Sequence, residues 1–436
     1  MPSRTFDLDR AHVFHSWSAQ AKITPIVLTD ARGSRVWDED GNEYLDFSSQ
    51  LVYTNLGHAH PRIVQAIKDQ ADRLCTVAPQ YANEHRSEAA RLISARAPEG
   101  MSKVFFTNGG ADANEHAIRM ARLHTGRPKV LAAYRSYHGG TQTAINLTGD
   151  PRRWPSDTGS AGVVHFFGPF LYRSEFHAVT EEEECERALA HLRRTLEAEG
   201  PSTIAAIVLE TIPGTAGIMI PPAGYLPGVR ELCDRYGIVL VLDEVMAGFG
   251  RAGAWFALDH FGVRPDLITF AKGVNSGYVP LGGVILSNAV AETFAHQPYP
   301  GGLTYSGHPL ATAAAVATLE AMAAEGTIEN AARLGEDVLG PGLRRIAEDH
   351  PSVGDIRGIG VFWAVELVID RNTREPMTSQ GTLDVVAACK ELGMLPFTNA
   401  NRVHLVPPCN LSDADAATGL SILDKALSVS DRLTRG

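Results

Sequence analysis

Three stretches of the sequence place a residue that could do chemistry directly after, or just beyond, an apolar run. Lys272 follows "LITFA", Asp243 follows "IVLVL", and the pair Gly109-Gly110 comes shortly after "KVFFT". A lysine is costly to bury unless it is neutral or bonded, and a neutral amine can condense with an aldehyde. A glycine turn that opens into a helix offers free amides to a phosphate, and a carboxylate can keep a pyridine nitrogen protonated.

Aldehyde, phosphate and pyridine nitrogen are the three groups by which a protein holds pyridoxal phosphate (PLP). Each residue also has a simpler interpretation. A lysine at a strand end often reaches the surface, an aspartate often begins a helix, and a glycine pair is often only a turn. The order of the motifs, with Asp243 ahead of Lys272, favours a common PLP site.

The elements that must position these residues are predicted by short β-rich runs that alternate with helical patterns from about residue 100 to 290. The strand candidates are "KVFFT" (103–107), "KVLAAY" (129–134), "IAAIVLE" (204–210), "IVLVLDE" (238–244), "LITFA" (267–271) and "GGVILS" (282–287). Apolar strands separated by helices are typical of a parallel sheet covered on both faces, and ligands bind beyond the carboxyl ends of such strands. The sequence therefore predicts an α/β fold that brings the three motifs to one sheet edge.

Both ends of the chain predict a second, smaller α/β domain. "DIRGIGVFWAVELV" (355–368) has the pattern of one strand, and "SRVWDEDGNEYLDF" (34–47) of short strands. We assign residues 1–60 to the N-terminal part of this small domain, 61–325 to a large PLP-binding domain with a mainly parallel central sheet, and 326–436 to the C-terminal part of the small domain.

Composition and charge exclude several classes of protein. The 436 residues carry a net charge of -11 and no basic run of five or more, which argues against a nucleic-acid partner. The five cysteines are widely spread and never form a CxxC pair, so neither a disulfide framework nor a metal site is expected. The first residues have no apolar signal region, and no apolar run is long enough to cross a bilayer. We expect a cytoplasmic enzyme with no membrane partner.

Residues 240–283, "LVLDEVMAGFGRAGAWFALDHFGVRPDLITFAKGVNSGYVPLGG", closely resemble the cofactor signature of the class III (ω-amino acid:pyruvate) aminotransferases, which are PLP-dependent transferases of fold type I. The resemblance runs through almost the whole chain. It includes "GHAHPRIVQAIKDQ" (57–70), "NGGADANEHAIRMAR" (108–122), "RSYHGG" (135–140), "PPAGYLPGVRELCDRYG" (221–237) and "LTYSGHPLATAAAVATLE" (303–320). So long a match is specific for fold and cofactor, and much less so for substrate.

The resemblance implies a role for each matching residue. Lys272 would hold the cofactor as a Schiff base and then move the proton during catalysis, and Asp243 would pair with the pyridine nitrogen. Val245 would pack against one face of the cofactor ring and Tyr137 would stack on the other, a contact worth about 0.5–1.5 kcal/mol beyond area burial. Glu210 matches a glutamate near the cofactor, with a structural or a functional role.

The phosphate would be bound by two groups of residues. Gly110 and Ala111 would offer backbone amides, and Thr304 matches a threonine that binds the phosphate of the partner subunit's cofactor. The resemblance therefore implies a homodimer with shared active sites, and leaves open whether dimers pair into tetramers.

Two positions depart from the family pattern. Ala111 stands where the family often has a hydroxyl residue, so one phosphate hydrogen bond worth about 1.5–3 kcal/mol is missing. Met246 stands where many members have a glutamine that reaches the 3′-oxygen of the cofactor.

The substrate pocket is less well defined by the sequence. The resemblance places Leu51, Val52 and Tyr53 at its mouth, and Trp17 with His15 could join them, although core packing is an equally simple role for Trp17. Keto-acid carboxylates usually meet an arginine, because a guanidinium binds them with two hydrogen bonds. Phe397 lies near the position of that arginine in several ω-transaminases, so the nearby Arg402 is the candidate.

The sequence thus predicts a PLP-dependent transaminase with a ping-pong mechanism. It would move an amino group from a primary amine or ω-amino acid, of the taurine or β-alanine type, to pyruvate or a similar 2-oxo acid. An aminomutase, epimerase or decarboxylating aminotransferase of the same fold is the alternative. A cofactor-free binding protein is disfavoured by the presence of both Lys272 and Asp243.

Overall fold

The computed structural model describes residues 3–157, 159 and 162–435. The strands are Leu28–Arg32 (β1), Arg35–Asp38 (β2), Glu43–Phe47 (β3), Lys103–Thr107 (β4), Lys129–Ala133 (β5), Val163–Phe166 (β6), Ile204–Glu210 (β7), Val239–Asp243 (β8), Leu267–Phe270 (β9), Gly282–Leu286 (β10), Val353–Ile359 (β11), Phe362–Asp370 (β12), Glu375–Pro376 (β13), Met394–Asn399 (β14) and Arg402–Leu405 (β15).

The helices alternate with the strands through the middle of the chain. They are Arg4–His12 (α1), Ser49–Val52 (α2), Pro61–Arg73 (α3), Glu84–Ser94 (α4), Gly110–Thr125 (α5), Gln142–Leu147 (α6), Glu181–Glu199 (α7), Tyr225–Tyr236 (α8), Asn288–Glu292 (α9), Pro309–Ala324 (α10), Thr327–Arg333 (α11), Gly340–Asp349 (α12), Ser379–Glu391 (α13) and Asp413–Asp431 (α14). Short 3₁₀ turns link several of them, and one of these turns, Lys272–Asn275, begins at the predicted catalytic lysine.

Among the described residues, seven strands form the central sheet in the order β4-β10-β9-β8-β7-β5-β6. The pairs from β9 to β6 are parallel, and β10 runs antiparallel to both β9 and β4. All seven residues of β7 are buried, as are all five of β8, because helices cover both faces of the sheet. The predicted α/β class with a mainly parallel sheet is therefore confirmed, and the six predicted strands end within one residue of their observed ends.

A second sheet combines strands from both ends of the chain. Its order is β1-β2-β3-β14-β15-β12-β11, and β13 pairs with β12. The parallel pair β3–β14 joins the N-terminal and C-terminal contributions. A separate apolar core, which includes Phe47, Leu343, Trp363 and Leu423, lies beneath this sheet. The predicted domain boundaries at residues 60 and 325 stay a prediction.

The single strand predicted over residues 355–368 is wrong, because the structure has a hairpin there. Strands β11 and β12 pair antiparallel with Ile359 opposite Phe362, so the chain reverses at Gly360 and Val361. Gly360 has a φ of 58°, a left-handed conformation that glycine adopts without strain. The apolar residues on both sides of the turn hid the reversal from a pattern-based prediction.

Among the described residues, no helix combines the length and the apolar character that a bilayer crossing requires.

Candidate active site

The three residues at the centre of the site come from neighbouring strands of the central sheet. Glu210 ends β7 and stands opposite Asp243, which ends β8, and Lys272 follows β9, whose Thr269 stands opposite Asp243. Because these strands are parallel, their carboxyl ends lie at one edge of the sheet. The chain therefore brings an amine and two carboxylates to the same edge, as the strand-end positions predicted for Lys272 and Asp243.

A cavity of about 470 Å³ opens at this edge. Most of the predicted site residues line it: Trp17, Tyr53, Gly110, Ala111, Tyr137, Glu210, Asp243, Val245 and Lys272. Further lining is contributed by Asn114, His138, Thr215 and Met246. A cavity of this size accommodates a small cofactor or substrate.

Helix α5 begins at the cavity. Gly110 is its first residue and Gly109 is its N-cap, with no side chain that accepts a hydrogen bond from the first turn. The first amides of the helix are thus left without a side-chain cap, and the positive end of the helix dipole points the same way. This is the geometry that binds a phosphate.

The carboxylate of Asp243 is held by three donors. Its Oδ2 atom accepts from Nδ2 of Asn114 at 2.8 Å and lies 2.8 Å from Nδ1 of His138. Its Oδ1 atom accepts from the backbone amide of Val245 at 3.0 Å. Asn114 is itself fixed, since its Oδ1 accepts from Thr269 at 2.8 Å. The orientation of the carboxylate in the buried site is therefore set before any ligand arrives.

His138 is the partner that the sequence did not identify as functional. Burial alone would lower the pKa of its imidazole, but the hydrogen bond to Asp243 and the nearby negative charges of Asp243 and Glu210 raise that pKa. The motif "SYHGG" contains the residue, yet only the fold shows that its ring turns toward Asp243.

Glu210 supports the site from the next strand. Its Oε1 atom accepts from the backbone amide of Tyr137 at 2.8 Å, and its Oε2 atom accepts from the amide of Gly214 at 2.8 Å. Burial and the charge of Asp243 raise the pKa of Glu210, while His138 opposes the shift. These contacts hold the loop that carries Tyr137, so they give Glu210 a structural role in the site.

Lys272 is unusual in both the pKa of its amine and its backbone conformation. Burial lowers the pKa of its amine, and the positive charge of Arg152 acts in the same direction, whereas Asp243 and Glu210 oppose the shift. Lys272 also has a φ of 49°, which is uncommon for a residue with a side chain. A lowered pKa leaves more of the amine neutral, and the neutral form is the nucleophile and the base.

Arg152 is a second residue that sequence reasoning missed. Its guanidinium carbon lies 3.6 Å from the centre of the Tyr137 ring, and its Nε atom donates to Asp150 at 2.9 Å. Arg152 therefore brings a cation to the residue that is expected to stack on the cofactor. The stretch "TGDPRRWP" contains two adjacent arginines, and the sequence does not tell which of them lies against Tyr137.

Three other predicted site residues, Val52, Thr304 and Arg402, do not line the cavity. Val52 is buried in an apolar cluster with Met246 rather than on the cavity wall. Thr304 is exposed and does not line the cavity of its own chain. Arg402 does not line the cavity either; burial, together with the charges of Arg357, Arg173 and Arg135, lowers its pKa to about 10 against the opposing effect of Glu366. Its role as an acceptor anchor stays a prediction.

No cluster of three or more His, Cys, Asp or Glu side chains suited to a metal ion occurs in the part of the chain that is described. The donor set fits PLP instead. The buried amine of Lys272 matches the aldehyde, the uncapped first turn of α5 matches the phosphate, and the oriented Asp243 carboxylate matches the pyridine nitrogen.

The fold and the site together define a PLP-dependent transferase. The family profile Aminotransferase class-III matches residues 17–427. The chain therefore belongs to the class III aminotransferases, and it is a PLP-dependent enzyme that transfers an amino group from an amine donor to a 2-oxo acid.

Individual relatives share most of their length with this chain. The taurine–pyruvate aminotransferase of Rhodobacter capsulatus is 37% identical, over 89% of this chain and 87% of that protein. The acetylornithine aminotransferase of Methanothermobacter thermautotrophicus is 34% identical, over 97% and 98%. The crystal structure of taurine:2-oxoglutarate aminotransferase from Bifidobacterium kashiwanohense, in complex with PLP and glutamate, has a TM-score of 0.95 and 42% identity, and each chain covers 98% of the other.

Proposed function

We propose that the amine donor is a short ω-amino acid with a carboxylate or sulfonate at its far end, of the taurine or β-alanine type, and that pyruvate or a similar small 2-oxo acid is the acceptor. One observation carries this proposal: Arg152 lies against Tyr137 and acts on the charge of Lys272. Among the described residues that line the cavity, Lys272 is the only lysine or arginine. Because Lys272 is needed for the cofactor, we assign the donor's acid group to Arg152, which is not part of the cavity lining and is paired with Asp150.

The residues of the chain divide the work of transamination. Bound PLP supplies an aldehyde that takes up the donor's nitrogen and a ring that accepts the electron pair released at the donor's carbon. Asp243 keeps the pyridine nitrogen protonated, and His138 and Asn114 keep Asp243 in place. The Nζ atom of Lys272 would remove the proton from the amine-bearing carbon and return it to the cofactor carbon on the other side of the nitrogen, since its lowered pKa leaves more of the amine neutral and able to act as a base.

Arg152 is suited to hold the remote acid group. Its Nε and Nη2 atoms donate to Asp150, which leaves Nη1 to donate to a carboxylate or sulfonate, and the Tyr137 ring beneath the guanidinium limits its motion. Trp17 lines the same cavity while 70% exposed, so its indole can cover a bound donor from the solvent side. A relative that acts on taurine is consistent with this arrangement.

The acceptor must use the same cavity in the second half of a ping-pong cycle. A small monocarboxylate needs only one anchoring cation, whereas a dicarboxylate needs two. Among the described residues, Arg152 is the cation that acts on the charge of Lys272, and with this one anchor pyruvate is the better match. The Bifidobacterium relative uses 2-oxoglutarate, which makes that acid the natural competitor to test.

We further propose that the enzyme is a cytoplasmic homodimer with shared sites. The isolated chain exposes 18668 Å², whereas a monomeric protein of its 46.9 kDa mass is expected to expose about 16,000 Å². Exposed aromatic residues, among them Trp17, Tyr81 and Tyr305, add apolar surface that a second copy would cover. Thr304 stands beside Tyr305 on this surface, where it can reach a partner's site.

The test is a panel of donors assayed with pyruvate by the formation of alanine, and in parallel with 2-oxoglutarate by the formation of glutamate. The panel contains taurine, β-alanine, 4-aminobutyrate and the uncharged 1-phenylethylamine. Arg152→Met should lower kcat/KM for the three acidic donors about tenfold to a hundredfold and change 1-phenylethylamine less than about threefold. The matched control is Arg153→Met, because Arg153 is also paired with an aspartate, Asp157, but is not the arginine that lies against Tyr137.

Two outcomes would contradict the proposal. If Arg152→Met lowered all four donors equally, Arg152 would not recognise the acid group. If the wild-type enzyme isomerised a donor with no second substrate and formed neither alanine nor glutamate, the reaction would be that of a mutase or epimerase.

A further inference from the structure

Arg251 is a fully buried arginine whose guanidinium joins its own loop to three other parts of the chain. Its Nη1 atom donates to the carbonyl oxygens of Val361, at 3.2 Å, and Pro407. Its Nη2 atom donates to Oγ of Ser49 at 3.1 Å and to Oδ1 of Asn55 at 2.9 Å. Arg251 itself lies eight residues after Asp243, in the loop that leaves the carboxyl end of β8.

The guanidinium has no carboxylate partner. Arg251 takes part in none of the ion pairs found among the described residues, and burial lowers its pKa. Burying a charge without a counter-ion is unfavourable, so the hydrogen bonds to neutral acceptors must offset the cost. A buried apolar residue of similar size would avoid that cost, but it could not join the four segments.

Two of those acceptors, Ser49 and Asn55, lie near the two ends of a segment with an unusual backbone. We call residues 48–55 the mouth segment, because its Tyr53 lines the cavity. Ser49, Gln50 and Val52 have φ values of 45°, 61° and 60°, in the left-handed region that disfavours side chains. Val52 is β-branched, for which this conformation is a true outlier. Such a backbone persists only when the surrounding structure holds it.

The surrounding structure holds the mouth segment at both ends. A single atom, Nη2 of Arg251, binds Ser49 at one end and Asn55 at the other. Asp46 adds a contact inside the segment, since its Oδ1 accepts from the amide of Gln50 at 3.1 Å. Ser49 also donates to the carbonyl oxygen of Val406 at 2.6 Å. Arg251 is thus the group that links the start of the segment to its end.

The mouth segment in turn shapes the reaction cavity. The ring of Tyr53 lines the cavity and packs on Gly277, where an added Cβ would lie 2.2 Å from Cδ2 of Tyr53. The amide of Asn55 packs on Gly273, the residue after Lys272, where an added Cβ would lie 2.3 Å from Nδ2 of Asn55. One face of the segment therefore touches the cavity and the other touches the turn of Lys272.

We propose that Arg251 is a positioning residue that fixes the mouth segment against the Lys272 turn, and thereby sets how tightly the amine donor binds. The inference rests on the proposed function, in that the cavity is taken as the donor pocket. It does not depend on which donor is used, because the contact to Tyr53 and the contact to Gly273 are independent of the donor's acid group.

Arg251→Lys in the holoenzyme is the direct test. Lysine keeps the charge but has one donor atom, so it cannot reach Ser49, Asn55 and the two carbonyls together. We expect KM for the donor to rise about tenfold or more with kcat within about threefold of the wild type, because uniform binding is lost. Hydrogen exchange measured by mass spectrometry should become faster in residues 48–55.

Arg127→Lys is the matched control. Like Arg251, Arg127 contacts four oxygen atoms. All four are backbone carbonyls that Nη1 of Arg127 reaches, those of Pro201, Ile204, Tyr236 and Gly237, and none belongs to the mouth segment. Arg127→Lys should lower the melting temperature without changing the KM for the donor or the hydrogen exchange of residues 48–55. The exchange measurement needs no substrate, so a failure of the proposed donor class would leave this readout intact.

The proposal is overturned if Arg251→Lys and Arg127→Lys both lower the melting temperature while KM and the exchange of residues 48–55 stay at wild-type values. Ser49→Ala provides a second variant if Arg251→Lys does not fold. It removes one acceptor of Nη2 and the hydrogen bond to Val406, so KM should rise about threefold or more and exchange in residues 48–55 should become faster. Wild-type KM and exchange in Ser49→Ala would also overturn the proposal.

Discussion

The Nδ1 atom of His138 lies 2.8 Å from Oδ2 of Asp243, and both side chains are almost completely buried. Both residues line the cavity. Because the pKa of His138 is raised by this carboxylate in spite of burial, the pair stabilises a positive imidazole next to Asp243. The strength of the bond between Asp243 and the cofactor's nitrogen therefore depends on His138.

Replacing His138 by phenylalanine should lower kcat by roughly tenfold to a hundredfold, because a hydrogen bond to a charged group is worth about 1.5–3 kcal/mol. His138→Asn keeps a donor near Asp243 and should recover part of the loss. His296→Phe, at an exposed position, is the control. Steady-state kinetics with one saturating donor measures the effect, and a wild-type kcat in His138→Phe would show that Asp243 needs no support from this side.

The lowered pKa of Lys272 predicts how the stability of the cofactor-free protein changes with pH. Between the lowered pKa of the folded state and the ordinary value of 10.5, the unfolded chain binds more protons at this lysine than the folded chain. Lys272 should therefore make the free energy of unfolding rise as the pH rises through that window. Lys272→Met should remove this contribution, whereas Lys390→Met, at an exposed position, should keep it.

Urea unfolding at a series of pH values up to about 10.5 measures these free energies, with the linear extrapolation applied to each variant. The difference between wild type and Lys272→Met isolates the lysine from the tyrosine and cysteine side chains that titrate in the same range. A difference that stays constant over the whole window would mean that the amine titrates normally in the fold.

Ala111→Ser should strengthen the retention of PLP. Ala111 is the second residue of α5 and lines the cavity, so a hydroxyl there adds a phosphate donor to the free amides of the first turn. One such bond is worth about 1.5–3 kcal/mol, which corresponds to cofactor loss slowed by about tenfold or more. Dialysis of the holoenzyme, followed by the absorbance of the bound cofactor, measures the rate. Ala111→Gly adds no donor and should not slow the loss; equal rates for Ser and Gly would contradict the prediction.

Mixed dimers can test whether Thr304 acts in the partner's site. A dimer of one Lys272→Ala chain and one Thr304→Ala chain contains one complete site if Thr304 reaches across the interface. It contains none if Thr304 acts within its own chain. Because one of two sites is intact in the first case, activity should be about half that of the wild-type dimer. The two homodimeric variants are the controls, and activity no higher than that of the Thr304→Ala homodimer would rule out the shared site.

The sequence by itself determined the class of fold and the cofactor, and it predicted that Asp243 and Lys272 lie at strand ends. Apolar runs such as 204–210 and 267–271 predict strands because each strand residue must be buried on both faces of a parallel sheet. The end of a strand is a local property of the chain, so the positions of Asp243 and Lys272 at strand ends followed from the pattern alone. Their meeting at one edge followed from the parallel arrangement of the strands.

Only the tertiary structure decided the contacts between segments that are distant in the chain. The orientation of His138 toward Asp243, of Arg152 onto Tyr137 and of Arg251 toward the mouth segment depends on the path of several loops. A residue's type and its neighbours in sequence do not specify which of several polar partners its side chain will reach. That choice is made by the packing of the elements on which the partners lie. Arg402 shows the same dependence, because it lies outside the cavity wall, within reach of the charges of Glu366 and three other arginines.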